Sequence, residues 1–304
     1  MDLKGINTTY EYHRYHPIDL LTEYTICESL SSAVSPYMVA LENPRPYGEI
    51  IGEQLESRGM LVPGCRVCEI GGGYGSLMAG LLNARSSAIG HVSMMDLSGH
   101  LLAKQRKILA PWSAMVDFIH ADATALLPAL RNLDVIIINE VIGDFDTWTD
   151  LDPVRLPNEV SGLVERYGLD IPSHDRFNFN MGAILLTEKI CREGMSAFIS
   201  EHSSDPIISD ELAFLRKGLE LDGYPRRIRL KGHSEFTIRF SHLEKIARHW
   251  GREVSRGALI DIVGIKKPEK MRIIFTLGSC ASDEHEILYE FLDHIREYQW
   301  VIIR

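Results

Sequence analysis

The segment "VCEIGGGYGS", residues 67–76, decides the fold class of this chain. A short strand pattern, "CRVCEI", begins at Cys65 and is followed by glycines at positions 71, 72, 73 and 75. Such a strand, followed by a glycine-rich turn and then by a helical pattern, is typical of α/β domains that bind a nucleotide-like ligand, because residues without Cβ let the backbone approach the ligand closely. The question is which ligand this turn approaches, if any.

The pattern on the carboxyl side of this turn alternates between strands and helices. We predict strands at "CRVCEI" (65–70), "HVSMMDL" (91–97), "MVDFIHAD" (115–122) and "LDVIIINE" (133–140). Helices are predicted between them at "YGSLMAGLLNA" (74–84), "SGHLLAKQRKIL" (98–109) and "ATALLPAL" (123–130), with Ser98 as the N-cap of the second helix. This βαβαβαβ order predicts an α/β fold with a doubly wound, mostly parallel sheet.

The remaining segments indicate two domains and an insertion. Residues 1–60 are predicted to be a helical cap, with helices at "IDLLTEYTICESLSSAV" (18–34) and "PYGEIIGEQLESRG" (46–59), and residues 61–304 the main domain. Residues 145–181 lack a strong period and are predicted to be a functional lid or insertion. We also predict a hairpin over 226–240, late strands at "ALIDIVGI" (258–265) and "MRIIFTLG" (271–278), and a closing helix over 283–300.

Composition limits the classes of partner and compartment. A net charge of -10 argues against general attraction to nucleic acid, and no apolar run has the length of a membrane span. The five cysteines are odd in number and irregularly spaced, and the amino terminus lacks the pattern of a signal peptide, so we expect a cytoplasmic protein. Cys65 and Cys68 lead directly into the first strand, where a redox or metal role for the pair is difficult.

Two ligands compete for the glycine turn. A dinucleotide fingerprint would use Gly71, Gly73 and Ser76, but Glu69 stands before the glycines and 64 residues precede the strand. S-adenosylmethionine (SAM) fits better, because it has no pyrophosphate and carries an ammonium group that a carboxylate such as Glu69 can hold. The expected cofactor is therefore SAM, with S-adenosylhomocysteine (SAH) as its product.

Further acids follow the next two strands. Asp96 is suited to bind two ribose hydroxyls, Asp122 to accept from the adenine amino group, and the Ala123 N–H to donate to a ring nitrogen. The alternative is that Asp96 and Asp122 are only favourable residues at helix N-termini. The expected cofactor-binding set is Glu69, Gly71, Gly73, Gly75, Asp96, Leu97, Asp122, Ala123 and Asn139.

These motifs resemble the class I SAM-dependent methyltransferases, and within them the MidA family, whose mitochondrial members methylate an arginine of a respiratory-complex subunit. The resemblance rests on "EIGGGYGSL", on the S-x-x-L-x-x-x-Q pattern of "DLSGHLLAKQRKIL" and on "VIIINEVIGDF", and it spans roughly residues 45–265. It implies a seven-stranded Rossmann-like methyltransferase sheet and SAM as the methyl donor. This chain departs from the family after Asn139–Glu140, where Gly143 replaces the usual Asp and no proline follows until Pro153.

Asn139 and Glu140 are the predicted catalytic residues. They end the fourth strand, beside the expected methyl position, where Glu140 could hold a guanidinium through paired charge-assisted bonds and Asn139 could orient donor or substrate. The alternative for Glu140 is a cap on the sheet or a local ion pair. Asp144, Asp146, Glu201 and His202 are weaker candidates. His13 and His16 stand at helical spacing, but further ligands cannot be placed beside them, so no metal site is expected.

Several functions remain open at this level. Family resemblance favours methylation of a protein arginine side chain. A small-molecule N- or O-methyltransferase, a non-catalytic SAM-binding assembly module and, more remotely, an NAD-dependent oxidoreductase are the alternatives. The partner is expected to be a protein or small-molecule methyl acceptor, without membrane or nucleic acid, and the sequence does not determine the oligomeric state.

Overall fold

A computed structural model describes residues 5–20, 24–126, 133–266, 268–278 and 280–304. Its strands are β1 Ile6–Asn7, β2 Cys65–Ile70, β3 Ile89–Asp96, β4 Val116–His120, β5 Val135–Asn139, β6 Thr147–Leu151, β7 Phe177–Phe179, β8 Ser196–His202, β9 Arg227–Arg229, β10 Ser234–Phe236, β11 Val254–Ala258 and β12 Tyr298–Ile303. Its helices are α1 Tyr10–Tyr15, α2 Ile26–Ser29, α3 Tyr47–Ser57, α4 Ser76–Arg85, α5 Gly99–Ile108, α6 Ala123–Leu126, α7 Asn158–Tyr167, α8 Met181–Arg192, α9 Phe240–His249, α10 Leu259–Val263, α11 Pro268–Leu277 and α12 Asp283–Ile295. Short 3₁₀ helices occupy Pro36–Ala40, Ala110–Trp112, Ile142–Asp144 and Asp210–Arg216.

A seven-stranded sheet forms the centre of the fold, in the order β11-β12-β8-β5-β2-β3-β4. Strands β4, β3, β2, β5 and β8 are parallel to one another, whereas β12 lies antiparallel between β8 and β11. The predicted α/β fold with a mostly parallel sheet is confirmed. The chain runs from β2 outward through β3 and β4 and then returns to β5 on the other side of β2, and ligands bind where the strand order reverses in this way.

The predicted strands and helices around the glycine turn are confirmed where the structure describes them; residues 127–130 of the helix predicted at 123–130 lie outside the described residues. Every residue of β5 is buried, as expected for a central strand covered on both faces. Cys65 and Cys68 lie in the two different hydrophobic clusters that flank the sheet, so their side chains point to opposite faces. All five cysteines are free.

Both predicted late strands are wrong. Residues 258–265 and 271–278 were expected to be strands, but helix α10 occupies most of the first segment and α11 most of the second. The two late strands are β11 and β12, and β12 begins where the closing helix was expected to continue. Short apolar runs fit a strand and a buried helix equally well, and here packing against the finished sheet decided between them.

The stretch of residues 18–34 is less helical than its hydrophobic period suggests. Within residues 18–34, the described part of the chain has an α-helix only at Ile26–Ser29, and residues 21–23 of the predicted helix lie outside the described residues. The hydroxyls of Ser29 and Ser31 bond to nearby backbone carbonyls in this serine-rich stretch. Such local bonds compete with regular helix.

The insertion is regular rather than irregular. Strand β6, helix α7 and strand β7 lie within residues 145–181, and β1 from the amino terminus pairs with β6 to give a three-stranded sheet in the order β1-β6-β7. Strands of two to five residues are too short to produce a visible period. The division into a cap and a main domain stays a prediction. No helix in the described ranges is long and apolar enough to cross a membrane.

Candidate functional site

A cavity of about 970 Å³ lies at the carboxyl ends of the parallel strands. Its walls come from the glycine turn after β2, from the ends of β3, β4, β5 and β8, from α8, and from the amino-terminal segment, here the described residues 6–20 and 24–28. All the predicted site residues except Gly75 line this cavity; those that do are Glu69, Gly71, Gly73, Asp96, Leu97, Asp122, Ala123, Asn139 and Glu140.

The glycine turn is shaped by backbone conformation and by close packing. Gly71 has φ +65°, and a Cβ at this position would lie 2.4 Å from a methyl group of Val141. Gly73 has φ +52°. Side chains are disfavoured at such φ values, so the turn must be built from glycine to bring its backbone to the cavity wall. Gly75, with φ +93°, instead lies at the N-cap of α4 and packs near Gln105.

Glu69 is a buried acid at the floor of the cavity. Its side chain is 2 % exposed, and its Oε2 atom has no hydrogen-bond partner among the described residues. Burial raises the pKa of Glu69 to about 8, and the negative charges of Asp96 and Glu28 add to this effect. A buried carboxylate without a partner is costly when ionised, so this position favours a ligand that carries a positive charge.

Asp96 is held in place by the helix that follows it. One carboxylate oxygen accepts a hydrogen bond from the Ser98 N–H at 2.8 Å and the other from Nε2 of Gln105 at 2.9 Å. Nε2 of Gln105 also donates to the Gly73 carbonyl at 3.0 Å, so this one side chain joins the end of β3 to the glycine turn. Burial raises the pKa of Asp96 to about 6. Each carboxylate oxygen can accept further bonds on the cavity side.

Asp122 makes the contacts of a helix-capping residue. Its Oδ1 accepts from the backbone N–H of Thr124 at 2.8 Å and from the Thr124 hydroxyl at 2.7 Å, at the start of α6. These local contacts agree with the alternative in which Asp122 is a residue favoured at a helix N-terminus. Because Asp122 and the buried Ala123 also line the cavity, capping does not exclude the predicted contact with a base.

The Glu140 carboxylate binds the amino-terminal segment to the sheet. It accepts hydrogen bonds from the Ile26 N–H at 2.7 Å, the Cys27 N–H at 2.9 Å, the Tyr298 hydroxyl at 2.8 Å and Nδ2 of Asn139 at 3.1 Å. Burial raises the pKa of Glu140, although the backbone and hydroxyl donors oppose the shift. Glu140 also has φ +53°, a strained value for a residue with a side chain.

These contacts bear on the predicted role of Glu140. Four donors match the number of lone-pair sites on a carboxylate, so a guanidinium could bind here only by displacing one of them. The predicted pairing with a substrate guanidinium stays a prediction. Asn139 is 7 % exposed, and its Oδ1 accepts a hydrogen bond from the Tyr47 hydroxyl at 2.8 Å, so its orientation is well defined.

A second group of polar residues lies at the end of β8. The Glu201 carboxylate accepts from the Gly143 N–H at 3.2 Å and from the His202 N–H at 2.9 Å. The His202 ring lies 4.0 Å from the Tyr298 ring, between centroids. Tyr298 was missed by the sequence reasoning, because only the antiparallel pairing of β12 with β8 brings it opposite His202.

The structure brings one of the two amino-terminal histidines into a polar cluster. Nε2 of His13 lies 3.0 Å from Oδ1 of Asp144, and Nε2 of His233 lies 3.7 Å from the same oxygen. The three residues come from α1, from the 3₁₀ helix after β5 and from the loop before β10, and all three line the cavity. His16 is exposed and does not join them. No local sequence signal connects His13 with Asp144 or His233, which are more than 100 residues away.

The cavity wall is strongly acidic. Among the described residues that line it, eleven are acids and two are Lys or Arg. The acids are Glu11, Glu28, Glu69, Asp96, Asp122, Glu140, Asp144, Asp146, Glu188, Glu201 and Glu235, and the bases are Lys189 and Arg192. A wall of this charge favours cationic ligands over anionic ones.

Comparison with known proteins identifies the fold. No protein-family model and no curated protein matches the chain. An uncharacterized COG1565 superfamily protein from Burkholderia thailandensis is similar in structure, with a TM-score of 0.57 and 16% identity, over 99% of this chain and 87% of that one. A second COG1565 superfamily member from the same organism, described as a "likely methyl transferase" and bound to SAH, has a TM-score of 0.53 and 15% identity, over 99% of this chain and 88% of that one. The chain therefore has the seven-stranded Rossmann-like methyltransferase fold.

Proposed function

We propose that the protein is a SAM-dependent methyltransferase that releases SAH. The observation that carries the proposal is a buried oxygen of Glu69 that no described residue bonds to, beside the glycine turn and in one cavity with Asp96 and Asp122. A cationic ligand that also carries a ribose and a base matches this set, whereas a dinucleotide would bring a pyrophosphate towards the buried acid. The similar structure from Burkholderia thailandensis that holds SAH supports the proposal.

Each residue has a distinct role in this proposal. The Glu69 carboxylate accepts from the ammonium group of the donor, and Asp96, fixed by Gln105, accepts from the ribose hydroxyls. Asp122 and the Ala123 N–H take the adenine edge, and Gly71 and Gly73 let the backbone pass close to the ligand. The sulfonium group of SAM supplies an activated methyl, so the protein has mainly to align the acceptor with it and exclude water.

We propose a basic nitrogen, with a protein arginine side chain as the candidate, as the methyl acceptor. The excess of carboxylates on the cavity wall supports a cationic acceptor. Glu201 and Glu235 also line the cavity, and a carboxylate of this kind could bind a guanidinium, since planar carboxylates and guanidinium groups form paired hydrogen bonds. In this proposal Asn139 and Glu140 position the acceptor nitrogen, and a neighbouring carboxylate or His202 receives its proton.

A small basic metabolite is the second candidate acceptor. The observation that favours it is the amino-terminal segment, which contributes a wall of the cavity between Ile6 and Glu28 and is fastened by Glu140. A wall formed by this segment narrows the space for a peptide and suits a small molecule. Both candidates share the acidic wall and differ in the size of the group that enters.

The first experiment is thermal unfolding of the purified protein with SAM, SAH and NAD in turn. A ligand at about 100 times its dissociation constant should add about 2.7 kcal/mol to the free energy of unfolding. We expect stabilisation by SAM and SAH and none by NAD; stabilisation by NAD alone would overturn the proposal.

Transfer is then tested with methyl-labelled SAM. Arginine-rich peptides, their lysine-substituted counterparts and a small-molecule fraction of lysate are offered as acceptors. Label in the arginine peptides alone supports the protein acceptor, and label in the small-molecule fraction alone supports the second candidate. Binding of SAM without transfer to any fraction would indicate a non-catalytic SAM-binding module.

A further inference from the structure

We propose that His13, Asp144 and His233 form a binding site for a divalent transition-metal ion that fastens the amino-terminal segment across the cavity. The nitrogen and oxygen atoms these residues offer all lie within 4.8 Å of one another. This site is additional to the methyl-donor site and rests on no residue assigned to that site.

The distances agree with shared coordination of one ion. Metal–ligand bonds of about 2.0 to 2.2 Å to imidazole nitrogen and carboxylate oxygen place neighbouring ligand atoms roughly 3 to 3.5 Å apart. The distances of 3.0 Å and 3.7 Å from Oδ1 of Asp144 to the two imidazole nitrogens are close to this range. Oδ1 of Asp144 is buried and makes no hydrogen bond of regular geometry with the described residues, so an ion could take the place of its contacts with the two imidazoles.

The two imidazole rings lie close together, and one of them is held by an aromatic neighbour. The planes of His13 and His233 meet at 80°, with their centroids 5.2 Å apart. Tyr12 stacks on His233 at 4.2 Å and 20°, which fixes the orientation of that ring. Neighbours that hold a ligating histidine in one orientation are a regular feature of metal sites.

Hydrogen bonds from side chains to backbone carbonyls hold the three segments together beside the cluster. The Thr9 hydroxyl donates to the Asp144 carbonyl at 2.7 Å, and Nδ2 of Asn7 donates to the Ser234 carbonyl, next to His233, at 3.0 Å. The amino-terminal segment therefore lies against both other ligand segments without an ion. A metal ion would add a connection that joins the side chains of all three segments.

The ligand set indicates the kind of ion. Two imidazoles and one carboxylate suit zinc, iron(II) and related transition ions, whereas magnesium and calcium prefer oxygen ligands alone. The side chains of His13, Asp144 and His233 are 20 %, 12 % and 4 % exposed, so the site is partly shielded from water. Because all three residues line the cavity, the remaining coordination positions of the ion would face it.

The test uses untagged full-length protein and zinc. Isothermal titration should detect one equivalent of Zn²⁺ bound by the wild type, with no comparable binding of Mg²⁺. Removal of neighbouring groups that only orient a metal ligand costs 10- to 100-fold in affinity, so His13→Ala, Asp144→Asn and His233→Ala should each weaken zinc binding by about 100-fold or more. His16→Ala is the matched control, because His16 follows α1 and is exposed, and it should leave zinc binding unchanged.

Binding of SAH and thermal unfolding without metal are measured on every variant. A variant that binds SAH and unfolds at the same temperature as the wild type without metal is folded, so its loss of zinc binding is a change at the metal site itself. Zinc binding that survives all three substitutions overturns the proposal, as does a wild type that binds SAH but no zinc, in which case the cluster is only a His–Asp–His ion pair. Failure to bind SAH in a wild type that binds zinc would instead count against the proposed function alone.

A second measurement needs no variant. X-ray absorption of the zinc-loaded wild type should show two imidazoles, with oxygen atoms in the remaining positions. Zinc should also slow proteolytic cleavage within the amino-terminal segment. Thiolate ligation, or a single imidazole, would place the ion elsewhere and overturn the proposal.

Discussion

The Tyr298 hydroxyl donates a hydrogen bond of 2.8 Å to the Glu140 carboxylate, across 158 residues of sequence. This bond joins the antiparallel strand β12 to the end of β5. The same carboxylate accepts from the N–H groups of Ile26 and Cys27 at the start of α2. One side chain thus connects β5, β12 and the amino-terminal segment that lines the cavity, so Glu140 has a structural task in addition to its predicted role in catalysis.

The first prediction concerns Glu140→Gln. The amide presents an N–H where the carboxylate presented an acceptor, so at least one buried donor loses its partner. We expect the free energy of unfolding to fall by about 1–3 kcal/mol, SAM binding to persist and turnover to be lost. Tyr298→Phe is the matched comparison: it removes a single donor and should cost about 1 kcal/mol. Chemical denaturation and a methyl-transfer assay check both, and unchanged turnover in Glu140→Gln would exclude the catalytic role.

The second prediction concerns protons at Glu69. The pKa of Glu69 is about 8 in the folded protein without ligand and about 4.3 in an unfolded chain. Between about pH 4.3 and pH 8, the Glu69 carboxyl is therefore protonated in the folded protein and ionised in the unfolded chain. Because the folded protein binds one more proton at Glu69 than the unfolded chain does, the free energy of unfolding falls as the pH rises through this range. A bound ammonium group stabilises the carboxylate, so SAM binding at pH 7 should release about one proton.

Titration calorimetry in two buffers of different ionisation enthalpy measures this release. Glu69→Gln should bind SAM more weakly and release no proton from this site. Glu165→Gln, on the exposed side of α7, should behave as the wild type. Equal proton release from the wild type and from Glu69→Gln would show that Glu69 does not contact the ammonium group.

The third prediction concerns Gln105, whose Nε2 joins Asp96 to the Gly73 carbonyl. Gln105→Met keeps most of the side-chain volume and removes both hydrogen bonds. We expect a loss of about 1–3 kcal/mol in the free energy of unfolding and weaker SAH binding, because the turn and the acid are no longer held together. Lys107→Met lies on the same helix and is exposed, so it should change neither quantity. Identical SAH affinity in the two variants would contradict the positioning role of Gln105.

The fourth prediction separates backbone strain from steric conflict in the glycine turn. Gly59 and Gly71 have nearly the same φ, +69° and +65°, but a Cβ at Gly59 meets nothing within 4 Å, whereas one at Gly71 lies 2.4 Å from Val141. Gly59→Ala should cost about 1–2 kcal/mol through its left-handed conformation alone. Gly71→Ala should cost more and abolish SAH binding, as followed by thermal unfolding with and without SAH. Equal costs would mean that Val141 moves aside without penalty.

The sequence alone predicts the central part of the fold and most of the proposed donor site. Strand β2, the glycine turn and α4 carry strong local signals, because burial on both faces, left-handed backbone and helical period each restrict the residue type at adjacent positions. Acids at the ends of consecutive parallel strands must lie at one edge of the sheet once the strand order is known. Glu69, Asp96 and Asp122 were located in this way.

Only the tertiary structure decided the contacts between distant segments. The apolar runs at 258–265 and 271–278 fit a helix or a strand until β12 fills the place between β8 and β11. The saturation of Glu140 by four donors and the approach of His13 to Asp144 and His233 also follow from how separate elements pack. A hydrogen bond or a shared ligand position depends on distances of a few ångströms between residues far apart in the chain, and no local pattern of residue types records those distances.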